Sequence, residues 1–383
     1  MRIACFVSLF PSKYKSVEIY GAGRVAYYLC RKLAERGHSI QVFVPFNKSF
    51  VEEYGNIVVH FYRSIFRIGI MNISLWLLCD PLNYDADVVH IHNDTPISMI
   101  AGLKYVNEKG KPLVVTWHGD WIENYGSITR RIGVYLSNRY LVDKVLSRAR
   151  VIITPSNYYV EESRFLKKYK EKLFEIPNGI DLEAFNIPYS KDECRKILGL
   201  DNKKIVLYLS ALYPLKGPQI LLEAIPKIVK EHKDVAFIFV GGGDLNKYKE
   251  KAGKMGVQKY VRFTGYIEEK LKPLYYKVAE IFVLPSIETF EVFPLVLLEA
   301  SASGLPMVVS DLRTFKCMVE DGYNGIITKR DDVRSLADAI IYLLENEYVR
   351  KKMGENARKK VENYSWEKIA GMTEIVYEQV ISK

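Results

Sequence analysis

Along the chain, short apolar runs rich in β-branched residues are followed by Gly, Pro or Ser turns and then by segments with helical periodicity. Runs such as VVHIH, LVVTW and AFIFV are almost unbroken, as expected of strands covered by helices on both faces. This order predicts repeated βαβ units and parallel sheets. Strands are predicted over residues 3–7, 39–44, 57–61, 87–92, 113–116 and 151–154 in the first half, and over residues 205–209, 236–240, 261–264, 281–284, 307–309 and 325–327 in the second.

The chain is predicted to form two domains, because 383 residues exceed the length that one hydrophobic core usually organises. A Pro and an Asn-Gly pair interrupt the periodicity at residues 176–181. We therefore predict domains over residues 1–180 and 181–364. Helical patterns at residues 333–345 and 349–364 precede a last helix after Ser365. No strand separates these helices, so residues 365–383 are expected to reach back to the first domain.

The composition is that of a soluble globular protein, with 49% hydrophobic and 26% charged residues. Five scattered cysteines at positions 5, 30, 79, 194 and 317 predict neither a disulfide framework nor a zinc site, which favours a reducing compartment. The apolar run at residues 3–7 is too short for a signal peptide. The longest apolar stretch, residues 65–78, is interrupted by polar residues and falls short of the roughly 20 residues of a transmembrane helix. A cytoplasmic protein is expected.

The net charge of +10 would suit nucleic acid, an anionic membrane surface or a phosphorylated ligand. No helix-turn-helix, zinc-finger or RNP pattern accompanies the charge, so a nucleic-acid partner is not expected. The basic, aromatic stretch at residues 62–79 could rest on an anionic membrane as a peripheral contact, or pack into its own domain.

Open α/β sheets bind ligands outside the carboxyl ends of their strands, so the residues that follow each strand are candidates. His118 comes directly after a strand, and its alternative role is a hydrogen-bonded turn residue. Gly21 and Gly23 precede an amphipathic segment whose first N–H groups could face an anion. About a dozen residues separate them from the first strand, which does not fit a dehydrogenase fingerprint. His90 and His92 share one strand face and could be core histidines.

The second half contains a sharper set of candidates. Lys216 lies in a Pro/Gly loop after strand 205–209, where its ammonium suits a diphosphate, although a solvated loop lysine is the alternative. If Pro294 is the first residue of the following helix, the free N–H groups beyond it can hold phosphate oxygens. Glu291 would then lie before the helix and Glu299 in its second turn, where the two could flank a ligand. An unpaired carboxylate in the run LVLLEAS would be costly to bury, which favours a function for Glu299.

Several segments, in this order, resemble the retaining glycosyltransferases of the GT-B fold, specifically glycosyltransferase family 4, the glycosyl transferases group 1. The resemblance rests on GAGRVAYYLCRKLAERGHSIQVFVP, DVVHIHN, PLVVTWHGD, IPNGIDLEAF, LSALYPLKGPQILLEA, FIFVGGGD, VRFTGYI and FVLPSIETFEVFPLVLLEASASGLPMVVSD. It implies an α/β fold of two Rossmann-like parallel-sheet domains that face each other across a cleft. The donor side would be the C-terminal domain.

The resemblance also implies roles for individual residues. Lys216 would contact the donor diphosphate, Glu291 the sugar hydroxyls and Glu299 the ribose, while His118 would lie beside the transferred sugar. His118, Lys216 and Glu291 are thus the implied catalytic residues. The other implied donor-binding residues are Gly21, Gly23, Gly241, Gly242, Tyr266, Phe293, Pro294 and Leu295. No divalent metal or other cofactor is implied.

Two departures from the family pattern bear on donor binding. Ala211 stands where family members commonly have an Arg, five residues before the lysine, and Pro294 stands where a Gly is expected. An Arg fork on phosphate contributes about 1.5–3 kcal/mol. Arg24 is a candidate replacement, and weaker donor binding or divergence of the protein are the alternatives.

The resemblance implies transfer of a hexose from a nucleotide-diphosphate sugar, such as GDP-mannose or UDP-glucose, to a lipid or saccharide acceptor. A sugar-nucleotide 2-epimerase and a non-catalytic sugar-nucleotide-binding protein are the alternatives. A dinucleotide oxidoreductase fits least well.

Overall fold

The structure is a computed structural model that describes residues 1–13, 21–68, 71–124, 126–288 and 291–382. The chain divides into two compact units. Unit 1 contains residues 1–179 and the C-terminal segment from residue 366, and unit 2 contains residues 180–365. Each unit is built on a mainly parallel β-sheet with helices, as the sequence pattern predicts.

Within the described residues, unit 1 has an eight-stranded sheet and a separate two-stranded hairpin. Its strands are β1 (Arg2–Phe6), β2 (Ser39–Phe46), β3 (Phe50–Tyr54), β4 (Ile57–Arg63), β5 (Phe66–Ile68), β6 (Met71–Ile73), β7 (Val88–His92), β8 (Leu113–Thr116), β9 (Val151–Thr154) and β10 (Leu173–Glu175). The sheet order is β10-β9-β8-β7-β1-β2-β4-β3, and only the β3–β4 pairing is antiparallel. The carboxyl ends of β1, β2, β4, β7 and β8 therefore lie along one edge of the sheet.

The helices of unit 1 follow the strands in βαβ order. They are α1 (Gly21–Glu35), α2 (Pro96–Lys109), α3 (Ile128–Tyr140), α4 (Val142–Arg148) and α5 (Asn157–Val160). Ser127 caps α3, because its hydroxyl accepts a hydrogen bond from the backbone N–H of Arg130 at 3.3 Å. The N-terminus of α3 is thereby fixed after the loop that leaves β8.

Unit 2 has a six-stranded parallel sheet in the described part of the chain. Its strands are β11 (Lys204–Leu209), β12 (Val235–Val240), β13 (Val261–Gly265), β14 (Ile281–Leu284), β15 (Met307–Ser310) and β16 (Gly325–Thr328), and its helices are α6 (Lys191–Leu198), α7 (Pro218–Glu231), α8 (Leu245–Lys254), α9 (Lys272–Val278), α10 (Leu295–Ala302), α11 (Val333–Glu345) and α12 (Glu347–Val361). The order β13-β12-β11-β14-β15-β16 reverses direction between β11 and β14. Ligands bind at such a switch point in open α/β sheets.

The last helix, α13 (Trp366–Ile381), belongs to unit 1. The guanidinium of Arg36, the residue that follows α1, pairs with Glu367 at 2.9 Å and with Glu374 at 2.5 Å. A Cβ at Gly179 would lie 2.4 Å from the Trp366 ring, so the absence of a side chain there admits the indole.

Every predicted strand is present, with ends within two residues of the prediction. Strands β3, β5, β6 and β10 were not predicted. They are short and lie at a sheet edge or in the isolated hairpin. Burial there is too slight to impose an apolar pattern on the sequence.

Candidate functional site

The ammonium of Lys216 forms an ion pair with the carboxylate of Glu291. Lys216 ends a short 3-10 turn after β11, and Glu291 lies in the loop between β14 and α10. Glu291 is buried, and its Oε1 also accepts a hydrogen bond from the Ser286 hydroxyl at 3.3 Å. A buried carboxylate is costly without partners, so the cation and the hydroxyl hold it at this edge of the sheet.

The loops after β11 and β14 meet because residue 217 is glycine. Gly217 has a φ of +72°, and a Cβ there would lie 1.9 Å from the carbonyl oxygen of Pro285. The backbone N–H of Ile287 donates to the carbonyl of Leu215 at 2.9 Å, which joins the same two loops. The sequence therefore brings Lys216 to Glu291 through a close backbone approach at the switch point.

A second glycine contact closes the loop after β12 onto the loop after β11. Gly241 has a φ of +147°, and a Cβ there would lie 2.0 Å from the carbonyl oxygen of Ser210. The backbone N–H of Leu212 donates to the carbonyl of Gly242 at 2.7 Å. Around Gly242, no atom of the described residues lies within 4 Å of a Cβ position. Gly241 therefore serves the fold, while Gly242 leaves open space at the carboxyl edge of the sheet.

Helix α10 begins at Leu295, and Pro294 is its N-cap residue, with φ −69° and ψ 121°. The prediction that Pro294 is the first helical residue is wrong by one position, because its ψ is extended. The Phe293 side chain is buried with its ring centroid 5.8 Å from that of Tyr364, so this side chain serves the core. Residues 289–290, which precede Glu291 in the sequence, lie outside the described residues.

Glu299, in the second turn of α10, is completely buried. Its carboxylate accepts a hydrogen bond from the Tyr276 hydroxyl at 2.8 Å and lies 3.7 Å from the ammonium of Lys272. The cost of burying an unpaired carboxylate therefore does not by itself favour a function for Glu299, because α9 supplies partners that no local pattern indicates. Contact of Glu299 with a ribose stays a prediction.

His118 follows Trp117, the first residue after β8. It is partly exposed at the carboxyl edge of the unit 1 sheet. Its backbone N–H donates to Asn93 Oδ1 at 2.5 Å, and its Nε2 lies 2.8 Å from His92 Nδ1. Desolvation lowers the pKa of His118 to about 3. The imidazole is therefore neutral near pH 7 and can offer one N–H and one lone pair.

The neighbouring His90 is a core residue. It hydrogen-bonds the Tyr377 hydroxyl through Nδ1 at 2.5 Å and the Thr116 hydroxyl through Nε2 at 2.7 Å. Burial lowers the pKa of His90 to about 3 and holds that of His92 well below its ordinary value. These two imidazoles are neutral and fixed beneath His118.

Gly21 and Gly23 lie at the start of α1, after residues 14–20, which lie outside the described residues. A Cβ at Gly23 would lie 2.7 Å from the carbonyl oxygen of Leu9, so glycine lets α1 pack against the segment that follows β1. Their contact with donor phosphates stays a prediction.

The remaining candidates were placed as follows. Tyr266 directly follows β13 and is exposed. The carbonyl of Ala211 accepts a hydrogen bond from the Tyr208 hydroxyl at 3.0 Å. Arg24, on α1, has its guanidinium 5.9 Å from the centroid of the Tyr28 ring. Replacement of the expected arginine by Arg24 stays a prediction.

Sequence reasoning missed three residues that hydrogen-bond the predicted site residues. Asn93 follows β7 and Ser286 follows β14, so the rule that selected His118 could have found both. Tyr276 lies on α9, and no sequence signal connects it with Glu299.

Within the described ranges, no group of three or more His, Cys, Asp and Glu side chains is arranged to hold a metal ion. The helices found in those ranges include none long and apolar enough to cross a membrane.

Two protein-family profiles match consecutive parts of the chain. The profile described as Glycosyltransferase Family 4 matches residues 19–184, and the profile described as Glycosyl transferases group 1 matches residues 190–360.

The chain is also similar to characterised proteins over most of its length. It is 27% identical over 370 residues to the phosphatidyl-myo-inositol mannosyltransferase of Mycobacterium tuberculosis, covering 92% of this chain and 91% of the relative. It is 30% identical over 302 residues to the UDP-Gal:alpha-D-GlcNAc-diphosphoundecaprenol alpha-1,3-galactosyltransferase of Escherichia coli, covering 76% and 74%. Among solved structures, the sucrose-phosphate synthase of Thermosynechococcus elongatus superposes with a TM-score of 0.78 at 21% identity, covering 100% of this chain and 99% of that chain.

Proposed function

We propose a function that proceeds from the family of this chain: it belongs to the glycosyl transferases group 1 of glycosyltransferase family 4 and has the GT-B fold. The proposed function is the transfer of a hexose from a nucleotide-diphosphate sugar to a lipid or saccharide acceptor. The anomeric configuration is retained and no divalent metal is required. The observation that carries the proposal is the Lys216–Glu291 ion pair at the switch point of unit 2.

The donor side is supported by the chemistry of this edge. The ammonium of Lys216 stabilises a diphosphate, and the first N–H groups of α10 offer further donors to phosphate oxygens. The carboxylate of Glu291 accepts hydrogen bonds from the sugar hydroxyls. The Escherichia coli relative is named for a UDP-linked sugar donor, in agreement with this assignment.

The acceptor side is supported by the relatives. The mycobacterial relative is named for a phosphatidyl lipid and the Escherichia coli relative for a diphosphoundecaprenol lipid. Both names describe acceptors that combine a lipid with phosphate. The net charge of +10 favours such an anionic acceptor and a peripheral contact with an anionic membrane.

The proposed reaction is a front-face transfer. The bond between the anomeric carbon and the diphosphate oxygen breaks while the acceptor oxygen bonds to that carbon on the same face, and the acceptor proton passes to the leaving phosphate. Lys216 stabilises the charge that develops on the diphosphate. His118, a neutral imidazole, is the proposed hydrogen-bonding group for the transferred sugar. Positioning and fixed electrostatics supply most of the acceleration.

A non-catalytic sugar-nucleotide-binding protein is the second candidate, favoured by Ala211 in place of the expected arginine. Such a protein would bind the donor without forming a product.

The test incubates the purified chain with labelled UDP- and GDP-hexoses, with lipid-linked and saccharide acceptors, and with or without a chelator. We expect a glycosylated product in the presence of chelator, with the donor's anomeric configuration by NMR, and loss of product in Lys216→Met. Lys254→Met is the matched control, because Lys254 pairs with Glu250 on the exposed face of α8. Donor binding without any product would favour the second candidate, and an epimerised donor without acceptor would indicate an epimerase.

A further inference from the structure

Helix α3 exposes an apolar stripe to solvent. Its five large apolar residues at positions 128, 132, 135, 136 and 140 are each between 48% and 73% exposed. Spacings of three and four residues place these side chains on one face of the helix. They are Ile128, Ile132, Tyr135, Leu136 and Tyr140.

The opposite face of α3 holds the helix to the domain. Val134 and Asn138 are buried, and Asn138 Nδ2 donates to the carbonyl of Trp121 at 3.1 Å and to Glu123 Oε1 at 2.9 Å. These bonds fix α3 to the loop that follows His118. The fold therefore does not use the apolar stripe, and its exposure leaves it to contact a partner.

A second exposed apolar patch arises from the same edge of the sheet. It consists of Ile65, Phe66, Leu75 and Trp76, which are between 52% and 63% exposed and follow β4. Strand β4 is parallel to β1 through β2, which lies between them, and strand β8 is parallel to β1 through β7. The chain therefore leaves β4 and β8 at the same edge of the sheet. The stripe and this patch together are called the apolar edge surface.

The two segments that carry the apolar edge surface contain basic residues and no acidic ones. Helix α3 carries three arginines and no acidic residue, and residues 62–79 carry Arg63 and Arg67 and no acidic residue. Tyrosine and tryptophan beside basic residues are typical of surfaces that lie at a membrane interface. We infer that the apolar edge surface docks on an anionic lipid bilayer, which would bring the edge that carries His118 to a membrane-embedded acceptor.

The inference extends the lipid acceptor of the proposed function, but its test measures binding and is independent of transfer. Wild type and Ile132→Glu/Leu136→Glu are floated with phosphatidylcholine vesicles that contain or lack phosphatidylglycerol, at low and high salt. We expect wild type to bind the anionic vesicles in a salt-dependent manner. The affinity of the double variant for these vesicles should be lower by a factor of about ten or more.

Ile197→Glu is the matched control, because Ile197 on α6 is 54% exposed and Ile132 is 56% exposed. It should bind as wild type does. Absence of binding to anionic vesicles, or equal loss in the control, would overturn the inference. So would light scattering that showed an oligomer of wild type which the double variant loses, because the surface would then be a protein interface.

An independent observation concerns the proton on His118. His92 is completely buried, and its Nε2 has no hydrogen-bond partner among the described residues. A buried N–H without an acceptor is rarer and more costly than a bare acceptor. The proton of neutral His92 is therefore on Nδ1, which lies 2.8 Å from His118 Nε2.

It follows that His118 Nε2 accepts this hydrogen bond and that His118 carries its own proton on Nδ1. We propose that His92 is a positioning residue that fixes this tautomer, so that His118 presents an N–H donor, and not a basic lone pair, to the transferred sugar. The tautomer follows from the contacts alone, whereas its use in transfer depends on the proposed function.

The test is nitrogen-15 NMR of the histidines in wild type, His92→Leu and His92→Asn. Asn can offer an N–H donor near the position of His92 Nδ1, whereas Leu cannot. We expect the Nδ1–H tautomer of His118 in wild type and in His92→Asn, and a mixture in His92→Leu. We also expect kcat to fall about tenfold in His92→Leu and to recover in His92→Asn, with the donor KM unchanged.

His90→Leu is the control, because His90 stacks on His92 but hydrogen-bonds Thr116 and Tyr377. It should lower stability without changing the tautomer of His118. A wild-type proton on Nε2 of His118 would overturn the proposal whether or not the chain transfers sugar. If His118 kept the Nδ1–H tautomer and kcat were unchanged in every variant, His92 would have no positioning role.

Discussion

At the residue scale, the candidate donor site is defined by a cation and a carboxylate that contact each other. Lys216 and Glu291 are 75 positions apart, and each was selected because it follows a strand. Their contact means that a change in one alters the position and charge environment of the other.

We expect Lys216→Met and Glu291→Gln each to lower kcat/KM by about two orders of magnitude, since each removes a charged contact to the donor under the proposed function. The double variant should lose much less than the product of the two single losses, because each single variant already breaks the pair. Steady-state kinetics of the four proteins measure this coupling. Strictly additive losses would show that the two side chains act independently.

The buried histidines predict acid sensitivity of unit 1. Folding lowers the pKa of His90 from its ordinary value of 6.5 to about 3, so the unfolded chain binds more protons between these values. Stability is therefore full above pH 6.5 and is lost as the pH falls, by up to about 1.4 kcal/mol per pH unit for each such histidine.

Urea unfolding at pH 7.5 and pH 5, followed by tryptophan fluorescence, measures this loss. All four tryptophans, at positions 76, 117, 121 and 366, belong to unit 1, so the signal reports on that unit. His90→Gln cannot titrate there and should show a shallower pH dependence than wild type. An unchanged slope would argue against a neutral, buried His90.

At the element scale, backbone contacts between loops assemble the site. The loops after β11 and β14 contact through Gly217, and those after β11 and β12 through Gly241. The strands could be predicted because their apolar runs are continuous. The contacts could not, because a glycine in a sequence does not indicate which carbonyl oxygen it will approach.

Gly217→Ala should both destabilise unit 2 and impair transfer. Its φ of +72° costs an alanine about 1–2 kcal/mol, and the new Cβ would also overlap the Pro285 carbonyl oxygen and separate Lys216 from Glu291. Gly256→Ala is the control, with a φ of +69° and open space around its Cβ. Calorimetry and kinetics should find a larger loss at Gly217, with activity lost only there. Equal effects of the two variants would mean that the close approach is unimportant.

At the scale of the whole molecule, the C-terminal helix crosses back to unit 1 after the chain has completed unit 2. Trp366 anchors it, stacked on Tyr28 at 5.5 Å between ring centroids and packed against Gly179. Unit 1 is therefore complete only when the segment from Trp366 onward has joined it.

Trp366→Ala should destabilise unit 1 by about 3–5 kcal/mol, because it leaves a cavity where a 3% exposed indole was packed. Differential scanning calorimetry should show one transition lowered and the unit 2 transition unchanged. Tyr348→Ala, at an 81% exposed position of α12, should change neither. A shift of both transitions by Trp366→Ala would mean that the units do not unfold separately.

The sequence by itself determined the α/β class, the positions of the long strands and the strand ends at which Lys216, Glu291 and His118 lie, because buried parallel strands impose continuous apolar runs and ligands bind after them. Only the tertiary structure decided which side chains contact each other, such as Tyr276 with Glu299 and His92 with His118. It also decided that the α3 stripe is exposed. These depend on which elements pack together over long sequence separations. Local periodicity measures how much of an element is buried, and it carries no information about the atoms that bury it.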